Sequence, residues 1–471
     1  MEQLRNSKVY KWLVLMTVGI SNFMGPMDNS MVNIALPEFT IVFNTDLPTA
    51  IWVLLAYMLT MAGLMLTLGK IGDVLGRKRL YSTGFIFFTL GLAFCALSQN
   101  ITQLILSRII QGVGAAMMVS MGTAIVTATF EARERGKAIG ITVMVVGLGL
   151  MSGPALGGWF LDTFGWRSIF YLRLPLSVLG VVVSWVVLKA DNSTKRPAGF
   201  DIRGAVTLFL GLASLLFAIN QGQVQGWSSI SVVTSGAIGA VSLALFIIIE
   251  GRLKQPILDL TLFRRRVFAL GNSSLLLSFL SRRGIGLLMP FLLIQASGYS
   301  AARAGLLLIT IPLSMTVISP ISGWLSDKIG ARLLCPLGLG IVALGIFLLR
   351  DLNSESTWFD IVLRLLIMGI GGSLFETPNN SSIMGAVSQE RLGTASAMIA
   401  TMRTVGQSAG IAITAAIFSN RQFFYSSQLN QQQTLITSFK DTVLFAFIVG
   451  IAAFLITLLQ NRVTKRDQRT G

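Results

Sequence analysis

The chain contains fourteen hydrophobic stretches, each of about 20 residues and so long enough to cross the ~30 Å hydrocarbon core of a bilayer as a helix. Only 12% of the 471 residues are charged and 53% are hydrophobic, which leaves too little polar surface for a soluble protein of this length. The sequence therefore predicts an all-α integral membrane protein with fourteen transmembrane helices. The predicted spans are 12–36, 49–68, 80–98, 102–127, 137–160, 166–188, 204–221, 230–249, 268–294, 302–323, 333–349, 358–384, 394–418 and 438–461.

The formal net charge of +17 would suggest a nucleic-acid partner in a soluble protein. Here the Lys and Arg residues outside the spans alternate with the helices, with 26 on the side that holds both termini and five on the other. By the positive-inside rule, both termini are expected in the cytoplasm. Membrane orientation accounts for the basic charge, and no nucleic-acid partner is expected.

Asp28 and Arg108 lie inside predicted spans 1 and 4, where a charge is costly and usually serves transport. At 1.5 Å per residue, Asp28 lies about 24 Å along its helix and Arg108 about 9 Å below the outer end of its own. Both fall in the outer half of the membrane, so a direct or water-bridged pair is expected. The chain has no His, so a proton carrier must be a carboxylate. Either a proton-coupled switch or a purely structural ion pair fits this pattern.

A glycine-rich loop between helices 2 and 3 reads GKIGDVLGRKR and has a degenerate copy, GWLSDKIGARLL, between helices 10 and 11. Three positions of the first copy recur 254 residues later, at Gly323, Asp327 and Gly330. The sequence therefore predicts two related halves of six helices, with helices 7 and 8 inserted between them. Arg108 has an approximate counterpart in Arg364 of helix 12. The loop contains Gly69, Gly72, Asp73, Gly76, Arg77, Lys78 and Arg79.

Three more segments carry a family resemblance: MDNSMVNIALP in helix 1, LSRIIQGVGAA in helix 4 and GLGLMSGPALGG in helix 5. With the loop, they resemble the fourteen-helix drug:proton antiporters of the major facilitator superfamily. The resemblance implies the major facilitator fold, with two six-helix bundles that alternate access to a cavity near the membrane midplane. The predicted domains are residues 12–190 for the N-terminal bundle, 200–250 for the inserted helix pair and 262–461 for the C-terminal bundle.

The resemblance also implies roles for these motifs. Asp73 and Arg77 would belong to a charge lock that closes the cytoplasmic side, and Asp28 with Arg108 would couple transport to protons. The helix 5 glycines would form a packing surface and hinge typical of antiporters, since small residues let helices approach closely. A nucleotide-binding loop is excluded, because the run lies inside a span and follows no strand. The residues are Gly147, Gly149, Gly153, Pro154, Gly157 and Gly158.

Helix 9 departs from the family pattern by placing Arg282 and Arg283 deep in the span, where small or apolar residues are usual. Adjacent helical residues point about 100° apart, so one of the two is expected to face the cavity as a substrate contact. Snorkelling to the outer interface is the alternative. Glu376 in helix 12 is a second proton-coupling candidate or a partner for an arginine. Further substrate-contact candidates are Phe23, Tyr57, Met117, Met121, Asn379 and Asn380.

The deep spans hold two acids against six arginines, and this balance favours neutral or anionic cargo over cations. The favoured function is proton-coupled export of small amphiphilic molecules across the cytoplasmic (inner) membrane, as in multidrug efflux. A lipid or glycolipid exporter of the same fold is the alternative, and a receptor or scaffold that lost coupling is a third. Enzyme activity is not expected and no cofactor or metal is implied, while the oligomeric state and the cargo stay open.

Overall fold

The computed structural model describes residues 9–130, 135–189, 202–253, 260–387 and 392–470. Within these ranges the chain forms fourteen long helical segments, each of which overlaps one predicted span, one short 3-10 helix (Leu260–Arg264) and no strand. The prediction of an all-α membrane protein is confirmed. Eleven of the described segments are long and apolar enough to cross a membrane. The fourteen segments, of which all but α1, α7 and α13 are among these eleven, are α1 (Tyr10–Val42), α2 (Leu47–Leu75), α3 (Arg77–Leu97), α4 (Ile101–Thr129), α5 (Arg135–Phe164), α6 (Ser168–Val187), α7 (Ile202–Gln225), α8 (Ile230–Arg252), α9 (Arg266–Ala296), α10 (Ala301–Leu308 with Thr310–Ile329), α11 (Ala331–Leu349), α12 (Trp358–Gly385), α13 (Leu392–Tyr425) and α14 (Gln431–Thr470).

Short polar side chains start several of these helices. The side chains of Asp46, Asn100, Ser229 and Ser300 each accept a hydrogen bond from a backbone N–H in the first turn of the helix that follows. Thr357 and the third helical residue of α12 form a reciprocal capping box. These caps satisfy N–H groups that have no partner inside the helix, and so they fix where each span begins.

The chain divides into two compact units, Met1–Phe209 and Leu210–Gly471. The first unit contains α1 to α6 and the start of α7, and the second contains the rest of α7 with α8 to α14. The assignment of α7 and α8 to an inserted pair stays a prediction.

The two copies of the glycine-rich loop have the same backbone geometry. Gly76, between α2 and α3, has φ 93° and ψ 132°, and Gly330, between α10 and α11, has φ 83° and ψ 148°. Each N–H donates to the carbonyl four residues earlier, which ends one helix before the next begins. L-residues with a side chain avoid these dihedral angles. The internal repeat inferred from the sequence therefore extends to the conformation of the chain.

Helix packing next to these loops is also repeated. A Cβ atom on Gly114 of α4 would lie 2.6 Å from the carbonyl oxygen of Gly84 on α3, and one on Gly371 of α12 would lie 2.7 Å from that of Gly338 on α11. Both pairs of helices are thus in backbone contact through glycine, as is common in membranes. The register of these contacts aligns Arg108 with Leu365 and not with Arg364, because Gly114 and Gly371 are 257 residues apart. Arg364 instead pairs with Asp360 on its own helix, at 3.6 Å.

Gly330→Ala tests the backbone requirement without a steric clash, because a Cβ at this position would meet no atom within 4 Å. We expect a loss of about 1–3 kcal/mol in unfolding free energy from strain alone, measured as the thermal unfolding of the purified protein in detergent. Gly19→Ala is the control, since Gly19 also has open space around it but lies within α1. An equal change in unfolding free energy in Gly330→Ala and Gly19→Ala would show that the backbone at residue 330 does not require glycine.

Candidate functional site

Asp28 is fully buried in the middle of α1 and lies at the centre of a cluster of charges in the first unit. Arg108 and Gln111 reach it from α4, where a spacing of three residues puts both side chains on one face of the helix. Arg108 Nη1 donates to Asp28 Oδ2 at 2.6 Å, and Gln111 Nε2 donates to Asp28 Oδ1 at 2.9 Å. The expected pairing of Asp28 with Arg108 is therefore a direct contact.

Arg108 is held in place from several directions. Its Nε donates to the carbonyl of Val53 on α2 at 2.9 Å, and its Nη1 also donates to Gln111 Oε1 at 2.6 Å. The guanidinium lies 4.3 Å from the centre of the Tyr57 ring, close enough for a cation–π interaction. The cluster therefore joins α1, α2 and α4.

Arg173 completes the cluster from α6. This helix is interrupted at Leu172 and Arg173, between the pieces Ser168–Tyr171 and Leu174–Val187. At the break, Arg173 Nε donates to the carbonyl of Ile169 at 2.8 Å, and Nη1 pairs with Asp28 Oδ1. Arg173 is one of the six arginines in the deep spans, and its pairing with Asp28 was not predicted from the sequence. Asp28 is the only acid in the deep spans of that half of the sequence, and this fact could have identified it as the partner of Arg173.

The arrangement places the carboxylate of Asp28 between the guanidinium groups of Arg108 and Arg173. All three side chains are 0% exposed. Buried charges of this kind are stable only while they are paired and hydrogen-bonded. Protonation of Asp28 would leave two positive charges without their counterion, and this change would favour a different arrangement of the four helices. The cluster is therefore chemically suited to act as a proton-sensitive switch.

A second cluster lies in the second unit and contains Glu376 of α12, Arg282 and Phe279 of α9, and Arg403 of α13. Glu376 Oε1 is 2.7 Å from Arg403 Nη2, and Glu376 Oε2 is 3.6 Å from Arg282 Nη2. The guanidinium carbons of Arg282 and Arg403 lie 4.9 and 5.4 Å from the centre of the Phe279 ring. Of the two adjacent arginines in α9, Arg282 thus pairs with the acid, and Arg283 is half-buried.

The glycines of α5 pack directly against α1. A Cβ on Gly149 would collide with the carbonyl of Phe23, one on Gly153 would collide with Ser30, and one on Gly157 would lie 3.1 Å from Ile34 Cγ2. The expected close helix contact is present. Pro154 and Gly158 are buried in the same stretch, and Gly147 is half-buried.

The second half repeats this contact. Gly406 and Gly410 of α13, which follow Gly149 and Gly153 by 257 residues, lie against the carbonyls of Leu276 and Leu280 on α9. A Cβ on either glycine would be 2.5 Å from the carbonyl oxygen. This second copy was not predicted, although the same spacing of two glycines is visible in the sequence. Close glycine packing is therefore common to both halves and not special to α5.

The loop motif is partly described. The side chains of Asp73 and Asp327 and the surroundings of Gly69 lie outside the described part of the structure, so the charge lock stays a prediction. Arg77 and Lys78 line a cavity of about 330 Å³ together with Tyr10, Thr129 and Lys189, while Arg79 is exposed.

The remaining substrate-contact candidates have packing contacts. Tyr57 is fully buried beneath Arg108, and Met117 and Met121 are buried against Gly84 and Gly72 respectively. Asn379 Nδ2 donates to the carbonyl of Gly271 at 3.0 Å and so joins α12 to α9. Phe23 and Asn380 are half-buried. Their role as substrate contacts stays a prediction.

Gly372 makes the position of Arg282 possible, because a Cβ on Gly372 would collide with Arg282 Nη1. We expect Gly372→Ala to displace the guanidinium from Glu376 and to cost about 1 kcal/mol of stability, at the low end of overpacking, because the end of a flexible side chain can move aside. Gly385→Ala on the same helix is the control, since it has open space. The cost, measured by thermal unfolding, should shrink when Arg282→Gln is also present. An unchanged cost in that background would show that Arg282 is not the displaced group.

Comparison with known proteins supports a transport fold over the whole chain. The family model described as Major Facilitator Superfamily matches residues 18–277 and 271–470. The riboflavin transporter RibZ of Clostridioides difficile is 32% identical over 460 residues, which cover 97% of this chain and 99% of that protein. The multidrug resistance protein Stp of Mycobacterium tuberculosis is 33% identical over 86% of this chain and 76% of its own length.

Solved structures show the same fold at low sequence identity. A bacterial homologue of the human lysosomal transporter Spinster, in an inward-facing and unoccupied conformation, has a TM-score of 0.72 at 15% identity and covers 98% of this chain and 99% of its own. The peptide transporter POT in complex with sulfate has a TM-score of 0.70 at 14% identity, with 95% of each chain covered. With the matching family model and the relatives above, these likenesses show that the chain is a multi-pass transporter of the major facilitator superfamily.

Proposed function

We propose that this transporter exports small amphiphilic molecules from the cytoplasm in exchange for protons, as a member of the fourteen-helix drug:proton antiporter branch. The observation that carries the proposal is the sealed cluster of Asp28 with Arg108 and Arg173. A carboxylate held by two arginines at membrane depth is expensive to keep, and intramembrane acids of this kind mark proton pathways. The names of Stp and of the multidrug transporter MdtP of Bacillus subtilis, 29% identical over 89% of this chain, agree with amphiphilic cargo.

The coupling would follow from the electrostatics of this cluster. With Asp28 charged, Arg108 and Arg173 tie α4 and α6 to α1. A proton on Asp28 removes the common counterion, and the two guanidinium groups then repel each other. The glycines Gly149, Gly153 and Gly157 of α5 present no side chain to α1, so the two helices are in close contact. One conformation is thus favoured by the charged acid and another by the protonated acid, which is the minimum that alternating access requires.

Asp28→Asn should abolish proton movement triggered by substrate. The test uses purified protein in liposomes that contain a pH-sensitive dye, to which ethidium, riboflavin or 2-naphthoate is added as a cationic, neutral or anionic probe. Asp351→Asn, at an exposed turn, is the matched control and should behave like the unchanged protein. Proton movement of normal size in Asp28→Asn would remove this acid from the mechanism. Silence of the unchanged protein towards all three probes would favour the lipid exporter and a lipid-transfer assay.

Asp28→Asn also leaves two buried guanidinium groups without a negatively charged partner. Loss of one partner of a buried ion pair costs about 3–5 kcal/mol of stability. Removing one of them in the same chain, as Asp28→Asn with Arg173→Gln, should recover part of the thermal stability without restoring proton coupling. That pattern separates a folding defect from a coupling defect. Recovery of coupling together with stability would mean that Asp28 acts only by holding the helices together.

Riboflavin is a second candidate cargo, because RibZ matches nearly the full length of both chains. The test is the movement of fluorescent riboflavin across the liposome membrane with and without an imposed pH difference. Riboflavin flux that follows the pH difference would identify a flavin transporter. Flux of ethidium or 2-naphthoate without riboflavin flux would exclude that cargo.

A further inference from the structure

The Glu376 cluster differs from the Asp28 cluster in accessibility. The Asp28 side chain and both of its arginines are sealed, whereas the side chains of Arg282, Glu376 and Arg403 are 10%, 14% and 39% exposed. Arg403 can therefore be reached by a small molecule while it is still paired with Glu376. All three residues lie deep in their helices, about 14 to 21 Å from the nearer end of each at 1.5 Å per residue.

The cluster has unused hydrogen-bonding capacity. Arg282 Nη2, Arg403 Nε and Glu376 Oε2 are buried atoms without a hydrogen bond to any described residue. The 3.6 Å separation of Arg282 Nη2 from Glu376 Oε2 is an ion pair but is too long for a hydrogen bond. Because a guanidinium group has five N–H donors, two of them offer far more donors than one carboxylate can use.

The charge of the cluster is positive, since two arginines share one acid, and Arg283 adds a third cation next in the sequence. A buried excess of positive charge is costly unless an anion offsets it. The Phe279 ring, which lies close to both guanidinium groups, supplies an apolar surface next to this charge. An anionic group attached to an aromatic body would match both features.

We propose that Arg282 and Arg403 bind the carboxylate of an aromatic anionic substrate, and that Glu376 is an internal anion which this carboxylate displaces. The inference rests on the proposed function, in that the bound anion is the exported cargo. Glu376 occupies the place of the substrate when the site is empty and keeps the two arginines paired. Its role is then competition with the substrate, and the proton is carried by Asp28.

Competition by Glu376 has a measurable consequence. If the acid is paired with the arginines most of the time, only the remaining fraction of the protein has a free site. The apparent association constant for an external carboxylate is then the intrinsic constant multiplied by that fraction. Glu376→Gln should therefore bind 2-naphthoate about tenfold more tightly than the unchanged protein if the site is free a tenth of the time. The neutral analogue 2-naphthamide should bind to Glu376→Gln and to the unchanged protein with equal affinity.

Binding is measured by calorimetry on purified full-length protein in detergent, without a pH gradient. Arg403→Gln and Arg282→Gln should each weaken 2-naphthoate binding, and Arg350→Gln, an exposed helix-end arginine, is the matched control. Glu376→Gln leaves two arginines without their acid and should therefore be less stable. Its unfolding temperature should rise more on addition of 2-naphthoate than that of the unchanged protein. If it does not fold, Glu376→Gln with Arg282→Gln leaves one arginine and should still prefer 2-naphthoate to 2-naphthamide.

The inference is overturned if Glu376→Gln binds 2-naphthoate no better than the unchanged protein, or if 2-naphthamide gains equally. Loss of proton coupling in Glu376→Gln without tighter carboxylate binding would make the acid a proton carrier and would also overturn it. Because binding is measured at equilibrium, it is independent of coupling through Asp28. Tight binding without any proton movement would contradict the proposed antiport alone, and proton-coupled export of neutral probes without carboxylate binding would contradict only this inference.

Discussion

A charge buried at membrane depth must keep a partner, and this requirement organises the first unit of the protein. One carboxylate on α1 draws side chains from α4 and α6 and, through Arg108, a backbone carbonyl of α2. Each helix that contributes is fixed in rotation and depth by the atom it must supply. The hydrophobic effect does not provide this specificity inside the bilayer. An apolar side chain is in an equally apolar environment whether it contacts lipid tails or another helix.

Much of this architecture can be predicted from the sequence, because its determinants are local. Hydrophobic length predicted the fourteen helical segments, and the depth of Asp28 and Arg108 predicted their contact. The positive φ of Gly76 and Gly330 follows from a motif and its copy. In each case the signal is a residue type at a fixed distance along one helix or loop.

The partners that were missed depend on how separate helices meet. Arg173 reaches Asp28 only because α6 is interrupted at that residue, and hydrophobicity does not reveal such a break. Arg403 pairs with Glu376 across two helices, and Gly372 matters only because the Arg282 guanidinium occupies the space beside it. The side chains of Asp28 and Arg173 are 145 residues apart in the chain. Such pairings are set by tertiary geometry, which a single sequence does not contain.

The repeated glycine contacts explain how two related halves can place their buried charges on different helices. Gly149 and Gly153 on α5, and Gly406 and Gly410 on α13, hold equivalent helix pairs together through backbone atoms. In the first half the acid is on the first helix and its arginine on the fourth, whereas in the second half the arginine is on the first helix and the acid on the fourth. Because the helices are joined through glycine and carbonyl groups, the polarity of a buried ion pair can be inverted without rebuilding the scaffold. The same arrangement of helices can thus hold an ion pair in either orientation, with the acid on the first helix of one half and on the fourth helix of the other.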